Sequence, residues 1–181
     1  PAEKLSLYTA KGAGARINAL IHADADLLRL LGYYLAEGYI SQDTGRAGAV
    51  RERVGFSFHE EESEYIADVR RVLDRLGLKY IERHSTHART TIVSSRIFAW
   101  LLRDVLQCGV ASTDKALPHL VFNVSEALRF ELLRGAFSGD GAVTELQGGK
   151  NLMFEYGTAS NALADGLTLL LQTMGVVPAL Y

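Results

Sequence analysis

The chain has 181 residues, 48% of them hydrophobic, which is enough for one substantial domain or two small ones sharing a core and excludes extensive disorder. Its formal charge of −2 shows no basic excess, so a nucleic-acid-binding surface would need its cations gathered on one face. The single cysteine, Cys108, excludes an internal disulfide and no apolar run reaches membrane-spanning length, so we expect an intracellular protein without membrane association.

The start of the chain predicts a lead-in followed by a long helix. Residues 1–23 form the lead-in segment, in which the glycine-containing stretch Lys11–Arg16 predicts a loop or hairpin and lacks the spacing of a phosphate-binding loop. Asp24 is expected to cap the helix by accepting from free amides of the first turn, and Gly38 is expected to end it. A strand should follow, with a turn through residues 42–45.

Residues 51–59 alternate between apolar and polar side chains, which predicts a half-buried β-strand. Val54, Phe56 and Phe58 would face the core. The opposite face is polar and cationic, as a sheet lying in a DNA groove requires for contacts with phosphates and base edges. These DNA-binding candidates are Arg51, Arg53, Ser57 and His59. The alternative is a merely solvated face.

A second basic segment follows an amphipathic helix predicted over Glu60–Gly77. Segments 78–83 and 89–94 predict a hairpin, whose basic residues Lys79, Arg83 and Arg89 join the DNA-binding candidates. His84 and His87 lie in its turn. A zinc site there is disfavoured, because no cysteine or further ligand has zinc-site spacing.

The middle of the chain predicts another helix and a connector. The helix covers residues 97–107, with Trp100 in the core, and Cys108 is expected to be a small buried residue. Asn123 is expected to cap the next long helix, with Glu126 completing a capping box.

Two short stretches, 103 residues apart, repeat each other. Each has a small residue, a second small residue four places on, an acid and a glycine: Gly32, Ala36, Glu37 and Gly38, then Gly135, Gly139, Asp140 and Gly141. Residues four apart share a helix face, so the small residues let two helix backbones approach closely. The two acids would lie side by side at helix ends that already carry partial negative charge, which predicts a divalent metal ion. The alternative is two ordinary buried helices with solvated acidic ends.

The pattern after the first stretch returns after the second. A shift of 98 residues places Phe154 on Phe56, Tyr156 on Phe58, and a helix over residues 161–174 on the helix that ends at Gly77. We therefore expect an α+β fold of two repeats, residues 24–122 with their connector and residues 123–181, of which the second is incomplete.

The stretches Leu31–Gly38 and Leu133–Gly141 resemble the two copies of the LAGLIDADG (dodecapeptide) motif, and the resemblance is closest to homing endonucleases embedded in inteins. It covers nearly the whole chain after residue 23. It implies αββαββα units related by a pseudo-twofold axis, with the motif helices packed at the centre and the antiparallel sheets forming a DNA-binding saddle. Because one chain carries both motifs, we expect a monomer.

The resemblance also implies an activity, which is a site-specific double-strand break at a long recognition site in DNA, as in intein or intron homing. Glu37 and Asp140 would hold Mg²⁺, or another divalent cation such as Mn²⁺, with one acid for each strand and short 3′ overhangs as the result. Lys115, in the connector stretch Lys115–Pro118, takes the role of the active-centre lysine that polarises water or offsets charge. The alternative for Lys115 is an ordinary linker lysine.

The sequence is also compatible with two other functions. A degenerate relative would keep the scaffold and grip DNA or RNA without cutting, as intron maturases and some bacterial regulators with this fold do. The presence of both acids counts against it, and the incomplete second repeat counts in its favour. Self-splicing is not expected of these residues alone, because Pro1 replaces a splicing nucleophile and Tyr181 is not preceded by a His-Asn pair. A flanking intein splicing domain is compatible with the sequence.

Overall fold

The fold has five α-helices and eight β-strands within the residues that the computed structural model describes, 5–10, 16–45, 48 and 50–181. In chain order these elements are β1 (Ser6–Leu7), β2 (Ile17–Asn18), α1 (Ala25–Glu37), β3 (Gly38–Thr44), β4 (Val50–His59), α2 (Ser63–Arg75), β5 (Tyr80–His84), β6 (Ala88–Val93), α3 (Arg96–Trp100), α4 (Glu126–Asp140), β7 (Gly141–Leu146), β8 (Asn151–Tyr156) and α5 (Asn161–Thr173). A π-helical turn, Leu101–Val105, extends α3, and a 3-10 helix, His119–Asn123, precedes α4. The prediction of an α+β fold is confirmed.

Helix α1 begins and ends at the predicted residues. Asp24 Oδ1 accepts from the amide of Leu27 at 3.0 Å, which satisfies one of the free donors of the first turn. Gly38 follows the helix with an extended backbone, φ −87°. Glycine is required there for steric reasons, because a β-carbon would lie 2.3 Å from the ring of Tyr34.

Helices α1 and α4 pack together through glycines. A β-carbon on Gly32 would lie 2.1 Å from the carbonyl oxygen of Leu132, and one on Gly135 would lie 2.3 Å from the carbonyl oxygen of Arg29. Backbone therefore meets backbone at both positions, and neither can accommodate a side chain. Leu28 of α1 is fully buried, which places this helix pair within the core.

The first repeat forms a four-stranded antiparallel sheet in the order β3-β4-β6-β5. The alternation predicted along β4 is confirmed, because Val54, Phe56 and Phe58 are at most 1% exposed and Arg51 and His59 are exposed. We call the face that holds Phe56 the inner face. The outer face is the opposite one, which holds Arg51, Arg53, Ser57 and His59.

The second repeat contributes a two-stranded antiparallel sheet of β7 and β8. Its register places Tyr156 opposite Gly141, as the register of the first sheet places Phe56 opposite Gly38. Tyr156 is therefore the counterpart of Phe56, and the predicted shift of 98 residues, which placed it on Phe58, is wrong for this strand. That shift does align α5 with α2, because Asn161 follows Tyr156 by five positions whereas Ser63 follows the equivalent Phe56 by seven.

Three further local predictions are wrong. Strand β3 continues through Thr44, so the chain does not turn at residues 42–45. Trp100 is 42% exposed, because the buried side chains of α3 and its π-helical extension are Phe98, Ala99 and Leu102. Helix α4 begins after Ser125, whereas Asn123 ends the 3-10 helix and donates its side-chain amide to the carbonyl of His119 at 3.1 Å.

The remaining structural expectations have mixed outcomes. Cys108 is buried, as predicted. Most of the glycine-containing lead-in stretch, residues 11–15, lies outside the described residues, and the strands on either side of it, β1 and β2, pair with each other. Among the helices that the structure describes, none combines the length and the apolar character needed to cross a membrane.

Candidate active site

The two motif acids lie at the C-terminal ends of the paired helices. Glu37 is the last residue of α1 and Asp140 is the last residue of α4. The backbone of Gly139 lies against the first acid, because a β-carbon there would be 2.7 Å from Ala36 Cβ and 2.9 Å from Glu37 Cγ. A larger residue at position 139 would separate the helix ends, so the small residue brings the acids near each other.

The electrostatics of the two carboxyls reflect this proximity. The pKa of Glu37 is raised to about 7, mainly by burial and in addition by the negative charges of Asp140 and Glu62. Desolvation also raises the pKa of Asp140, while the Tyr156 hydroxyl and the Lys115 ammonium act in the opposite direction. Two acids whose ionised forms are both disfavoured make a site that a cation would stabilise.

The donor set fits a divalent cation that prefers oxygen ligands. Glu37 and Asp140 supply two carboxylates, and no third Asp, Glu, His or Cys joins them in a ligand cluster within the described ranges. Mg²⁺ is commonly held by one or two carboxylates, with water and substrate phosphate completing its coordination. Asp140 also lines an open cavity of about 250 Å³ together with Ser112 and Thr158, which leaves room for such ligands.

Lys115 reaches this region from the connector between the repeats. It is only 1% exposed, and its ammonium donates to the carbonyl of Tyr34 at 2.9 Å and lies 3.4 Å from the centroid of the Tyr34 ring. Burial lowers the pKa of Lys115 to about 7, although Cys108, Asp114 and Asp140 favour the charged form. The sequence pattern did not indicate Tyr34 as the partner of Lys115, because the two residues are 81 positions apart.

The connection from β8 to α5 contacts both Asp140 and Lys115, and sequence reasoning missed this segment. The Tyr156 hydroxyl lies 3.5 Å from Asp140 Oδ2, and the Gly157 amide donates to the Asp140 carbonyl at 3.3 Å. Ser160 caps α5 and donates its hydroxyl to the Lys115 carbonyl at 2.6 Å. Residues 156–160 thus contact both Asp140 and Lys115 and fix their positions relative to each other.

Most of the predicted DNA-binding residues share the outer face of the first sheet. Arg51, Arg53, Ser57 and His59 lie there on β4, and Arg83 of β5 lies opposite Thr90 on the same face. Several already have protein partners. Arg53 pairs with Asp43 at 2.6 Å, the Ser57 and Thr90 hydroxyls are 3.1 Å apart, and the His59 ring stacks on that of His87.

Two of the predicted DNA-binding residues lie elsewhere. The register pairs Arg89 with Phe58, so Arg89 belongs to the inner face rather than the outer one. The sequence could not show this, because the face depends on how β6 aligns with β4. Lys79 precedes β5 and is exposed.

The chain is similar in sequence to a known domain family and to several known proteins. A model of the LAGLIDADG-like domain matches residues 24–105 and 127–181. An uncharacterized protein of Methanocaldococcus jannaschii is 42% identical over 96% of this chain, and the DNA polymerase of Thermococcus kodakarensis is 31% identical over 90% of it. The chain covers only 19% of the first relative and 9% of the second.

Solved structures support the same assignment at the level of the fold. A structure of the homing endonuclease I-DmoI in complex with DNA and Mn has a TM-score of 0.63 and 15% sequence identity, with 88% of this chain and 83% of that chain covered. A second I-DmoI structure, with DNA and Ca, gives a TM-score of 0.62. From the paired motif helices, the family match and this shared fold, we conclude that the chain belongs to the LAGLIDADG-like domain family.

Proposed function

We propose that this chain is a site-specific DNA endonuclease that makes a double-strand break by metal-dependent hydrolysis of phosphodiester bonds. The observation that carries the proposal is the close approach of Ala36 and Glu37 to Gly139, which brings the motif acids of α1 and α4 to adjacent helix ends. Solved LAGLIDADG structures with DNA and Mn or Ca support a divalent cation, for which Mg²⁺ is our proposal.

In this proposal the residues of the chain have distinct roles. Glu37 and Asp140 would be the metal ligands, one for each DNA strand, and a bound Mg²⁺ would activate water and offset charge on the leaving 3′ oxygen. Lys115, with its lowered pKa, would accept or donate a proton or offset developing charge near the scissile phosphate. The glycines and Ala36 of the helix pair hold the acids at a fixed separation.

DNA recognition would use the outer face of the first sheet. Cationic groups would contact phosphates, while hydroxyls and the remaining polar side chains would contact base edges of a long site in the major groove. The residues proposed for this face are Arg51, Arg53, Ser57, His59 and Arg83, with Lys79 beside it. Arg89 is left out of this set because of its place on the inner face. Since one chain carries both motifs, we propose that it acts as a monomer on DNA inside the cell.

The relatives support an intein setting. The chain matches small parts of proteins with unrelated functions, 9% of a Thermococcus DNA polymerase and 14% of an iron-sulfur cluster assembly SufBD family protein of Mycobacterium tuberculosis. A similar segment inside unrelated hosts is what an inserted element would produce. An intein is translated with its host, whereas an intron-encoded protein is not, so we propose residues 24–122 and 123–181 as the two repeats of an intein endonuclease beside a splicing domain.

The test is cleavage of a supercoiled plasmid that carries the coding sequence flanking this segment in its gene, joined without the segment. We expect linear product with Mg²⁺ and none with a chelator. Glu37→Gln and Asp140→Asn should each reduce cleavage by roughly 100-fold, because each removes a charged ligand, while DNA binding persists. Glu126→Gln, which removes an exposed acid from the other end of α4, is the matched control and should cut normally.

A nucleic-acid-binding module without nuclease activity is the alternative. The burial of Lys115, with its ammonium engaged by Tyr34, favours it, because this lysine is not directly open to a substrate. Binding of the plasmid without nicking or cutting by the unmodified protein would establish this alternative. Absence of binding to the joined sequence would contradict both the endonuclease function and a module that binds this DNA.

A further inference from the structure

Each motif acid is accompanied by a pair of aromatic rings, and the two pairs are equivalent by position. Tyr34 and Phe137 each precede the motif acid by three residues, and Phe56 and Tyr156 each lie opposite the motif glycine. In the first repeat the ring centroids of Tyr34 and Phe56 are 6.1 Å apart, and in the second those of Phe137 and Tyr156 are 5.2 Å apart. Each pair has one hydroxyl, but on opposite members.

Because the hydroxyl is on the helix residue in the first pair and on the strand residue in the second, the two hydroxyls contact different groups. In the first repeat the Tyr34 hydroxyl donates to the carbonyl of Gly109 at 2.7 Å, and its ring receives the ammonium of Lys115. In the second repeat the Tyr156 hydroxyl lies 3.5 Å from Asp140 Oδ2. The hydroxyl of the second pair therefore faces the motif acid, whereas that of the first pair faces the connector.

This difference in hydroxyl position also coincides with the difference between the acids. Glu37 has one methylene more than Asp140. In the first repeat the position equivalent to Tyr156 is occupied by Phe56, which has no hydroxyl. The shorter acid is thus the one that the phenol contacts, while the longer Glu37 acts on it only through its charge, which adds to the rise in the pKa of Tyr156. A partly buried phenol normally requires a polar partner, and packing alone would be served by phenylalanine, as position 56 demonstrates.

We propose that Tyr156 is a positioning residue, because its hydroxyl orients the carboxylate of Asp140. In each repeat the length of the motif acid would then be matched to the presence or absence of this hydroxyl, and we call this match the coupling. The backbone supports this role, because the amide of Gly157, the residue after Tyr156, donates to the backbone carbonyl of Asp140. The inference rests on the proposed function, since it assigns Tyr156 to the half-site that cuts one strand. That strand is the one whose hydrolysis depends most on Asp140.

Two measurements on the 181-residue chain test this role. The first is the cutting rate of each strand of the joined-site duplex, labelled separately. Tyr156→Phe should slow the same strand that Asp140→Asn slows most, by roughly tenfold, and leave the other within about twofold, so that nicked product accumulates. The second is calorimetric titration with Mn²⁺ without DNA, in which Tyr156→Phe should weaken binding by roughly fivefold.

Tyr33→Phe is the matched control, because the Tyr33 hydroxyl lies at a similar distance, 3.4 Å, from the carboxylate of Asp68, outside the site. It should leave both strand rates and Mn²⁺ binding unchanged. The double variant Tyr156→Phe/Asp140→Glu reproduces the combination of Phe56 and Glu37 and should recover most of the lost strand rate and metal affinity. A purely structural role for Tyr156 would not be rescued by a longer acid.

The outcomes separate this inference from the proposed function. If the unmodified protein cuts both strands and Tyr156→Phe behaves like Tyr33→Phe in both measurements, the coupling is wrong and the nuclease function stands. If the unmodified protein binds Mn²⁺ but does not cut, the nuclease function is wrong, and a loss of Mn²⁺ affinity specific to Tyr156→Phe still supports the coupling. Equal slowing of both strands by Tyr156→Phe, without rescue by Asp140→Glu, overturns the coupling.

Discussion

At the scale of single residues, Lys115 shows how a buried cation is accommodated. Its ammonium meets the carbonyl of Tyr34, which lies in the last turn of α1 and also accepts from the Gly38 amide. The C-terminal end of a helix carries partial negative charge, and the face of an aromatic ring attracts cations. These two interactions offset part of the desolvation cost, which nevertheless lowers the pKa of Lys115 to about 7.

Replacing this lysine should separate stability from activity. In Lys115→Met, the Tyr34 carbonyl keeps its bond from Gly38 and a buried charge is removed, so the free energy of unfolding should stay unchanged or rise by about 1 kcal/mol. Cleavage should fall by roughly 100-fold because the proposed proton-transfer or charge-offsetting group is lost. Urea unfolding and single-turnover cleavage at saturating protein are the measurements.

The contrasting variant is Lys79→Met, at an exposed lysine beside the outer face. This substitution should weaken DNA binding and make the affinity less dependent on salt concentration, because one phosphate contact is lost. The cutting rate of the bound complex should not change. A loss of several kcal/mol of stability in Lys115→Met, or normal cleavage by it, would show that Lys115 is a structural residue.

At the scale of elements, the contact between α1 and α4 determines how the repeats meet. A β-carbon added to Gly32 or Gly135 would lie about 2 to 3 Å from backbone atoms of the facing helix. A side chain there cannot be relieved by a change of rotamer, because its neighbours are backbone atoms. The separation of the helices, and with it that of the two acids, thus depends on these residues being glycine.

Adding a single methyl group to this contact should therefore be costly. Gly32→Ala and Gly135→Ala should each lower the free energy of unfolding by about 3 kcal/mol through overpacking, although alanine favours helices. Gly157→Ala is the control, because a β-carbon at that position meets no atom within 4 Å. Denaturant unfolding of the three variants measures the difference, and equal stabilities would contradict the backbone contact.

At the scale of the whole molecule, the distribution of charge explains how a chain of net charge −2 can offer a cationic face. A network between the N-terminal end of α1 and the middle and C-terminal end of α2 pairs acids with arginines. Its members are Asp24, Asp26, Arg29, Asp68, Arg71, Arg75 and Glu131, the last of which links α4 to α1. Its member Asp26 lies roughly 16 Å along α1 from Glu37, at a rise of about 1.5 Å per residue. Its three arginines offset three of its four acidic charges away from the outer face.

This network should make the fold sensitive to acid. Hydrogen bonds from Arg71 lower the pKa of Asp26 to about 2, below its unfolded value of about 3.9. The stabilisation from Asp26 is therefore complete above about pH 4 and is lost as the pH falls towards 2, by about 1 kcal/mol after allowance for solvent screening. Urea unfolding of the unmodified protein and of Asp26→Asn, compared between pH 6 and pH 2, measures this contribution.

The comparison with Asp26→Asn cancels the effect of other titrating groups. Glu37 acts in the opposite direction, because its pKa is raised and its ionisation destabilises the folded state as the pH rises from about 4 towards 7. The stability difference between the two proteins should shrink as the pH falls below 4. A difference that stays constant down to pH 2 would contradict the role of Asp26.

The sequence by itself determined the helices, the alternation along β4 and the fold class. These features follow from local periodicity, since small residues four apart define one face of a helix and polar residues two apart define one face of a strand. The candidate acids Glu37 and Asp140 were accessible for the same reason, because each ends a helix at an equivalent place in a repeated motif. Their functional roles stay predictions.

Only the tertiary structure decided which residues distant in the sequence contact each other. The contacts of Lys115 with Tyr34 and of Tyr156 with Asp140 join residues 81 and 16 positions apart, and the inner-face position of Arg89 depends on strand register. A strand slipped by one residue exposes the opposite set of side chains, and no local pattern records the alignment of one strand with another. The register is set by the packing of the whole core, which is why these partners could not be deduced from the sequence.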